Sequence, residues 1–529
     1  MTRQGSLLLV MLLASSGIGA PLAQAPPTRL DLMTASIADI QAAVDAGTLT
    51  YEALVGMYVR RIEAYDRNGP KLNAVLQVHP RAAEIARALD AERAARGRRS
   101  PLHGIPVAVK DSVDVHDMPS AGGNLALAGT YPADDATVVR KLRDAGAIIF
   151  LKTNLDEFNL GAQGLSSLGG QVLNPYDLSR NPGGSSAGTG VAITAGFATV
   201  GIATETGASI RSPASNSSVV GIAPTPGLTS RAGVLPFSFT LDRVGVHARS
   251  VADAAAMLSV MRGFDAGDLF TWDSLGKLSP QSYESPLNAT ALTGARIGVL
   301  RDLFRVGAEF APVNALIDEQ IKVFGAKGAL VVDGLTSGMN LVAFFPSTRV
   351  SGPEFRFAFD AYLRDRGPDT PVRSLQELVA TGKYLKNMDG TIRQALAMSS
   401  LDFDPAYKAR LQNRAMLRRV IVELMDRYDV EALVYPFKSL GAPPLGTADR
   451  GPRDNPLSSI AGLPAIVVPA GTTAEGLPIA IELLGRPFSE TRLLQLAFAY
   501  EQASAKRVLP KLTPPLPGEA VEIPVPVGR

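Results

Sequence analysis

Cysteine is absent from all 529 residues. No disulfide braces this fold, and thiolate catalysis and thiolate metal sites are both excluded. Histidine is nearly absent too. The four present, His79, His103, His116 and His247, include no two at metal-ligand spacing, which argues against a histidine-rich metal centre and against any mechanism needing several imidazoles. An excess of one charge is also missing: 52 Lys and Arg face 50 Asp and Glu with no long run of either sign, so neither nucleic acid nor an anionic membrane is suggested as a partner. Long apolar runs are lacking as well. The stretch Gly190 to Thr204 is uncharged but short, and predicts a buried helix-to-strand segment, since a membrane span needs about 20 apolar residues.

The N-terminus has one positive charge at Arg3, an apolar run from Leu7 to Leu13, and the small-residue pattern Ala23-Gln24-Ala25. That order predicts a secretory signal peptide over residues 1–25, cut after Ala25, and hence a periplasmic or secreted protein with no stable membrane insertion. About 500 residues remain, enough for a large core and for two to four domains, or one large one.

Residues 26–98 are expected to be helical. Ser36 with Asp39 forms a capping box, Ile37, Ile40 and Val44 make a stripe, and Gly47 ends it. A second helix follows Thr50, with Leu54, Met57, Tyr58, Ile62 and Tyr65 on its apolar face and Asn68-Gly69 as its stop. A third runs from about Pro80 to Arg96, before Gly97. Residues 99–262 change character: short apolar strands, such as Ile105 to Val109 and Ala147 to Leu151, alternate with Gly/Ser-rich loops and helices, which predicts a mixed α/β sheet. Residues 263–428 are less regular, carry Phe344, Phe345, Phe355, Phe357, Phe359 and Tyr362, and look like an insertion or cap. Strand-like runs return in 429–529 at Ala432 to Tyr435, Ala465 to Val468 and Ile479 to Leu484, followed by a helix from Thr491 to Ala505. A Pro-rich tail from Leu512 is expected to run over the surface.

Three segments hold the candidate chemistry. In PLHGIPVAVKDSVDV (101–115), Lys110 ends an apolar strand, where desolvation disfavours the ammonium and leaves a neutral amine able to act as a base. NPGGSSAGTG (181–190) sets Gly183-Gly184 before Ser185-Ser186, and IATETGASIRSPAS (202–215) sets Gly207-Ala208 before Ser209. Small residues beside a serine let successive N–H groups converge on an oxyanion. Taken singly, each cluster also suits a helix N-cap or a tight turn.

Together and in this order they resemble the amidase signature family, known by a GGSS(G/A)G stretch, a D/E-T-x-G-S-I-R stretch and an upstream lysine. Ser209 follows Ser185 by 24 positions, as in that family, and the likeness extends through KTNLDEF (152–158), GGQVLNPYD (169–177), LDRVGVHARSVADA (241–254) and AGLPAIVVPAG (461–471). The resemblance implies an α/β amidase signature fold, a mixed central β-sheet covered by helices on both faces. It implies cleavage of an amide C–N bond with Ser209 as acyl nucleophile, Ser185 as bridging serine after a cis Gly184–Ser185 bond, and Lys110 as base. The backbone N–H groups of Thr206, Gly207, Ala208 and Ser209 are the implied oxyanion hole, and Ser186, Glu205 and Arg211 the implied supports. No cofactor or metal is implied; the partner is a small-molecule or peptide amide, with no oligomeric state specified. Ala208 and Glu205 depart from the Gly and Asp of many members.

Other readings stand beside this one. Gly184-Ser185-Ser186-Ala187-Gly188 fits G-x-S-x-G, an α/β-hydrolase elbow with Ser186 as nucleophile and His247 as the sole downstream histidine, though a Pro/Asn/Gly loop precedes it where a strand is required. Ser274-Leu275-Gly276-Lys277 fits S-x-x-K, but Gly276 and Pro280 predict a loop there. A non-catalytic binding protein on the same fold is the third. Within the family, the tRNA-dependent amidotransferase subunit is disfavoured by the leader and the balanced charge.

Overall fold

The computed structural model describes residues 28–367 and 369–523. The candidate leader, residues 1–25, lies outside the described residues.

One eleven-stranded sheet organises the molecule. From one edge to the other its strands are Leu330–Leu335, Arg296–Leu300, Ala432–Pro436, Pro478–Leu484, Ala465–Thr472, Val220–Ala223, Arg243–Ala248, Val200–Glu205, Pro106–Lys110, Ile148–Thr153 and Val75–Val78. Parallel pairs flank an antiparallel centre, so the sheet is mixed. Strands Pro106–Lys110, Ile148–Thr153, Val200–Glu205, Arg243–Ala248 and Pro478–Leu484 are buried at every position. Burial on both faces is why they read as continuous apolar runs rather than alternating ones.

The N-terminal helices form where the spacing predicts them, but residues 26–98 are not helical throughout: Thr28–Asp31 and Val75–Val78 are strands, the second an edge of the central sheet. Ser36 and Asp39 complete the capping box of Ile37–Asp45. The next helix, Tyr51–Arg61, runs on as one π-helical segment, Ile62–Arg67, before Asn68. The stretch from Gly190 to Thr204 is the end of helix Ala187–Thr194 followed by strand Val200–Glu205, all of it buried. That helix owes its place to small residues. A β-carbon on Gly188 would lie 2.4 Å from the Asn154 carbonyl oxygen, and one on Gly190 2.9 Å from that of Pro213.

The stretch 263–428 is not a cap throughout. Arg296–Leu300 and Leu330–Leu335 extend the central sheet at one edge: Arg296–Leu300 pairs in parallel with Ala432–Pro436, and Leu330–Leu335 pairs in parallel on its outer side. The part that covers the site is built on helices Ser351–Asp365, Leu375–Ala380 and Asp389–Ala397. Their Phe355, Phe359, Leu363, Leu375 and Ile392 share a buried cluster with Phe158 and Leu235, and Phe359 meets Phe158 edge-on at 5.0 Å. Burying each such phenylalanine contributes about 1.5–3 kcal/mol, which fixes this layer over the Gly/Ser loops.

The Pro-rich tail is bound as far as Ile523, the last of the described residues. Buried Arg61 donates to the Thr513 and Pro514 carbonyls at 2.8 and 3.1 Å, and Ala520–Ile523 pairs antiparallel with Thr28–Asp31. Among the described residues no helix is long and apolar enough to cross a membrane.

Candidate active site

Lys110 is the last residue of its strand, at the C-terminal edge of the sheet and fully buried. Its Nζ lies 2.8 Å from Ser185 Oγ, 2.8 Å from Thr204 Oγ1 and 3.4 Å from the Thr204 carbonyl oxygen. Burial lowers the pKa of the amine to about 7, although the carboxylates of Asp156, Asp242 and Glu205 act to raise it. Near neutral pH a large fraction of Lys110 is therefore uncharged. A neutral amine has two N–H groups and one lone pair. With Thr204 accepting from the N–H groups, the lone pair faces the Ser185 hydroxyl.

Ser185 sits one residue before the N-cap of helix Ala187–Thr194, and the Gly184–Ser185 peptide is cis. The glycines ahead of it are dictated by crowding: a β-carbon on Gly184 would stand 2.0 Å from Asp156 Oδ2, and one on Gly183, at φ +82°, 2.7 Å from Pro213 N. Asp156 in turn accepts from the backbone N–H groups of Gln163 and Gly164, each at 2.9 Å, and its own N–H donates to the Ser185 carbonyl at 3.1 Å. Ser186 occupies the N-cap but makes no capping bond. Its hydroxyl donates instead to the Thr204 carbonyl at 3.0 Å, tying the serine loop to the strand that carries Thr204.

Ser209 lies on the turn between strand Val200–Glu205 and helix Arg211–Asn216. The Ser186 N–H donates to its carbonyl at 3.3 Å, which brings the two serine segments together. Its own hydroxyl makes no hydrogen bond among the described residues and faces a cavity of about 380 Å³. Gly184, Thr206, Gly207 and Ala208 share that wall, with Pro346, Arg349 and Ser351 opposite. Among the described residues, the N–H groups of Thr206, Gly207, Ala208 and Ser209 have no hydrogen-bond acceptor. Four successive free donors beside a serine hydroxyl suit a developing oxyanion. Phe237 lines the cavity; of the middle-region phenylalanines, Phe355 and Phe359 are instead taken up by the buried cluster with Phe158.

Glu205 and Arg211 pair across the turn that carries Ser209 at 3.1 Å, both fully buried. Glu205 Oε2 also accepts from the Ile210 N–H at 3.0 Å, and Arg211 Nη2 donates to the Gly207 carbonyl at 2.7 Å, so the pair clamps both ends of the turn. The clamp is wider than the sequence segment shows. Arg243 reaches Glu205 at 2.5 Å, and Glu482 takes Arg211 at 2.9 Å. Burial acts to raise the Glu205 carboxyl, but the two guanidiniums overcome it and hold it below the usual carboxylate range. Thr206 Oγ1 donates to Asp242 at 2.5 Å, fixing the first residue of the turn from a neighbouring loop.

The rival arrangements do not assemble. Residues 174–183 form a loop broken only by an isolated bridge at Arg180, so no strand leads into Ser186. His247 bonds through Nε2 to the Ile210 carbonyl at 2.7 Å, while Ser186 bonds Thr204; the two side chains are directed to different partners. Burial lowers the His247 pKa to about 4, leaving it neutral. Ser274 ends a short 3-10 turn, with Gly276 at φ +73° before Lys277, so this serine and lysine share no helical turn. Among the described residues no group of three or more His, Asp or Glu side chains is arranged to hold a metal ion.

A family model described as Amidase matches residues 53–494. A probable amidase of Arabidopsis thaliana is 33% identical over 527 residues, covering 95% of this chain and 97% of the plant protein. A glutamyl-tRNA(Gln) amidotransferase subunit from Chloroflexus aurantiacus is also 33% identical, covering 90% of this chain and 97% of its own. Among solved structures, the native peptide amidase of Stenotrophomonas maltophilia superposes with a TM-score of 0.83 at 36% identity, covering 90% of this chain and 98% of that one.

Proposed function

From the premise that this chain belongs to the amidase family and is a hydrolase of amide C–N bonds, we propose that hydrolysis runs through an acyl-enzyme on Ser209, with Ser185 as proton relay and Lys110 as the terminal base. One observation carries the reading: a fully buried lysine amine 2.8 Å from the hydroxyl of a serine whose neighbour, Ser186, is hydrogen-bonded to the backbone of a second, cavity-facing serine. In this sequence of steps neutral Lys110 accepts the Ser185 proton as Ser185 takes that of Ser209, and Ser209 Oγ bonds to the amide carbon. The N–H groups of residues 206–209 stabilise the oxyanion. The tetrahedral adduct collapses as Ser185 returns a proton to the leaving nitrogen, which an amine leaving group requires. Water then attacks the acyl ester along the same relay and frees the carboxylic acid and Ser209.

The substrate in this reading is a small or medium carboxamide, including a peptide C-terminal amide, acted on by an exported enzyme rather than by a subunit serving tRNA. The leader-like residues 1–25, the balanced charge and the likeness to a peptide amidase support it. The test is a panel of carboxamides, anilides and esters on wild type and Ser209→Ala, with intact-mass detection of the acyl adduct. Release of ammonia or amine by wild type, with an adduct that Ser209→Ala cannot form, is expected. Hydrolysis of esters alone, or an adduct persisting in Ser209→Ala, overturns the proposal.

A further inference from the structure

The cavity in front of Ser209 also holds carboxylates that the chemistry does not use. Asp454 is only 7% exposed, lines the cavity with Ser209 and Ala208, and makes no side-chain hydrogen bond or ion pair among the described residues. Asp449, a second lining residue and fully buried, directs Oδ2 to Lys438, Ser212 and Asn216 and leaves Oδ1 without a partner. Burial, reinforced by the nearby Asp449, raises the Asp454 pKa to about 6. The charges of Lys438, Arg450 and Arg211 act the other way, but among the described residues none of them meets the carboxylate in a hydrogen bond, and a buried polar group left without one is costly.

The position is built, not incidental. Lys438 and Asp454 form a backbone bridge, the Asn455 N–H donates to the Phe437 carbonyl at 3.0 Å, and the Asn455 carbonyl accepts from Arg211 Nη1 at 3.0 Å. Arg211 is the residue that clamps the nucleophile turn, so Asp454 is held in fixed register with Ser209. The cations that line the same cavity act on it only at a distance. Arg450 is exposed and donates to the Gly161 carbonyl at 2.8 Å, Arg349 is exposed, Arg410 is half-buried, and none forms an ion pair with Asp454.

We propose that Asp454 is a specificity-determining residue that receives a cationic group, a primary ammonium or a guanidinium, carried by the amide that Ser209 attacks. A carboxylate inside a walled cavity makes a charge-assisted hydrogen bond with such a group and has no comparable bond to a neutral or anionic one. The inference rests on amide hydrolysis at Ser209.

The test uses three amides on one acyl skeleton, bearing an ammonium, no charge or a carboxylate, on wild type, Asp454→Asn and Asp454→Ala. Wild type is expected to favour the cationic amide in kcat/KM by about tenfold or more, and both variants to lose that preference chiefly through KM. Equal treatment of the three amides by wild type, or an equal loss across all three in the variants, overturns the proposal. Calorimetric binding to Ser209→Ala and to Ser209→Ala with Asp454→Asn keeps the two readings apart. If wild type cleaves none of the amides but Ser209→Ala binds the cationic one in preference, and the double variant does not, the hydrolytic reading fails and the cation site stands. If Ser209→Ala binds the three alike, the cation site fails.

Discussion

Lys110 Nζ stands 2.8 Å from Thr204 Oγ1, the same distance at which it meets Ser185 Oγ. In the proposed relay Thr204 is thus the counterweight that aims the amine lone pair at Ser185, and it acts through Lys110 rather than on the substrate. Thr204→Val keeps the shape and removes the acceptor. The expected result is a fall in kcat of about tenfold or more with KM little changed, since the lost orientation matters only when a proton moves. A matching rise in KM would instead point to a collapsed cavity wall.

In the proposed relay the same lysine sets the pH dependence. With its pKa at about 7, Lys110 is protonated and idle as a base below that pH and free above it. The kcat/KM of the wild type is therefore expected to rise with pH up to about 7 and then level off. Lys110→Arg should abolish the rise along with most activity, because a guanidinium stays charged throughout, and Lys110→Met should cost about 10²–10⁴-fold. A profile already flat from pH 5 upward would remove Lys110 as the base.

Two glycines separate packing from chemistry. Gly184→Ala drives a β-carbon to 2.0 Å from Asp156 Oδ2 and 2.9 Å from Ala162 Cα, whereas Gly207→Ala meets nothing within 4 Å. Gly184→Ala is expected to lose about 1–3 kcal/mol or more in chemical denaturation. Gly207→Ala should denature like wild type while changing KM, because its added methyl points into the cavity. Equal stability of the two variants would contradict the packing described around the serine loop.

Glu205 carries a stability consequence with a definite sign. Its carboxyl is held below the ordinary value of 4.5 by Arg211 and Arg243 against the opposing effect of burial. Its contribution is thus full above that ordinary value and is lost as pH falls through the depressed one. Glu205→Gln leaves Arg243 without a carboxylate partner and Arg211 with Glu482 alone, at an expected cost of about 3–5 kcal/mol in urea denaturation at pH 7. The difference from wild type should shrink toward pH 3. Loss of activity with unchanged stability would instead make Glu205 a participant in the chemistry.

Much of this was legible along the chain because the signals are local. An apolar strand ending in Lys110, and glycines crowded against Ser185, state their own constraint. The long reach of the turn clamp was not legible, because Arg243 comes opposite Glu205 only through antiparallel register. Glu482 is brought in by a strand pairing with both Ala432–Pro436 and Ala465–Thr472. One hint was available: a lone Glu in the apolar run PIAIELL needs a buried cation, and Arg211 supplies it. The middle region misled for the opposite reason. Its aromatics suggest a ligand wall, yet Phe355 and Phe359 are taken up by packing against Phe158, and the cavity is lined largely by small and polar residues, Asp454 among them, that no local pattern marks.

His247 gives the last discrimination. Its buried Nε2 holds the Ile210 carbonyl at 2.7 Å, one residue past Ser209, and its Nδ1 has no partner among the described residues. In an α/β-hydrolase elbow its removal would abolish labelling by a serine-directed fluorophosphonate. Here His247→Ala is expected to lose about 1–3 kcal/mol of stability from the orphaned carbonyl and the space left behind, and still to be labelled. The adduct should map by peptide mass to Ser209 in wild type, His247→Ala and Ser186→Ala alike. Labelling at Ser186 that vanishes in His247→Ala would return the molecule to the elbow mechanism. With Ser186 bonded to Thr204 and His247 to Ile210, the geometry gives that outcome no path.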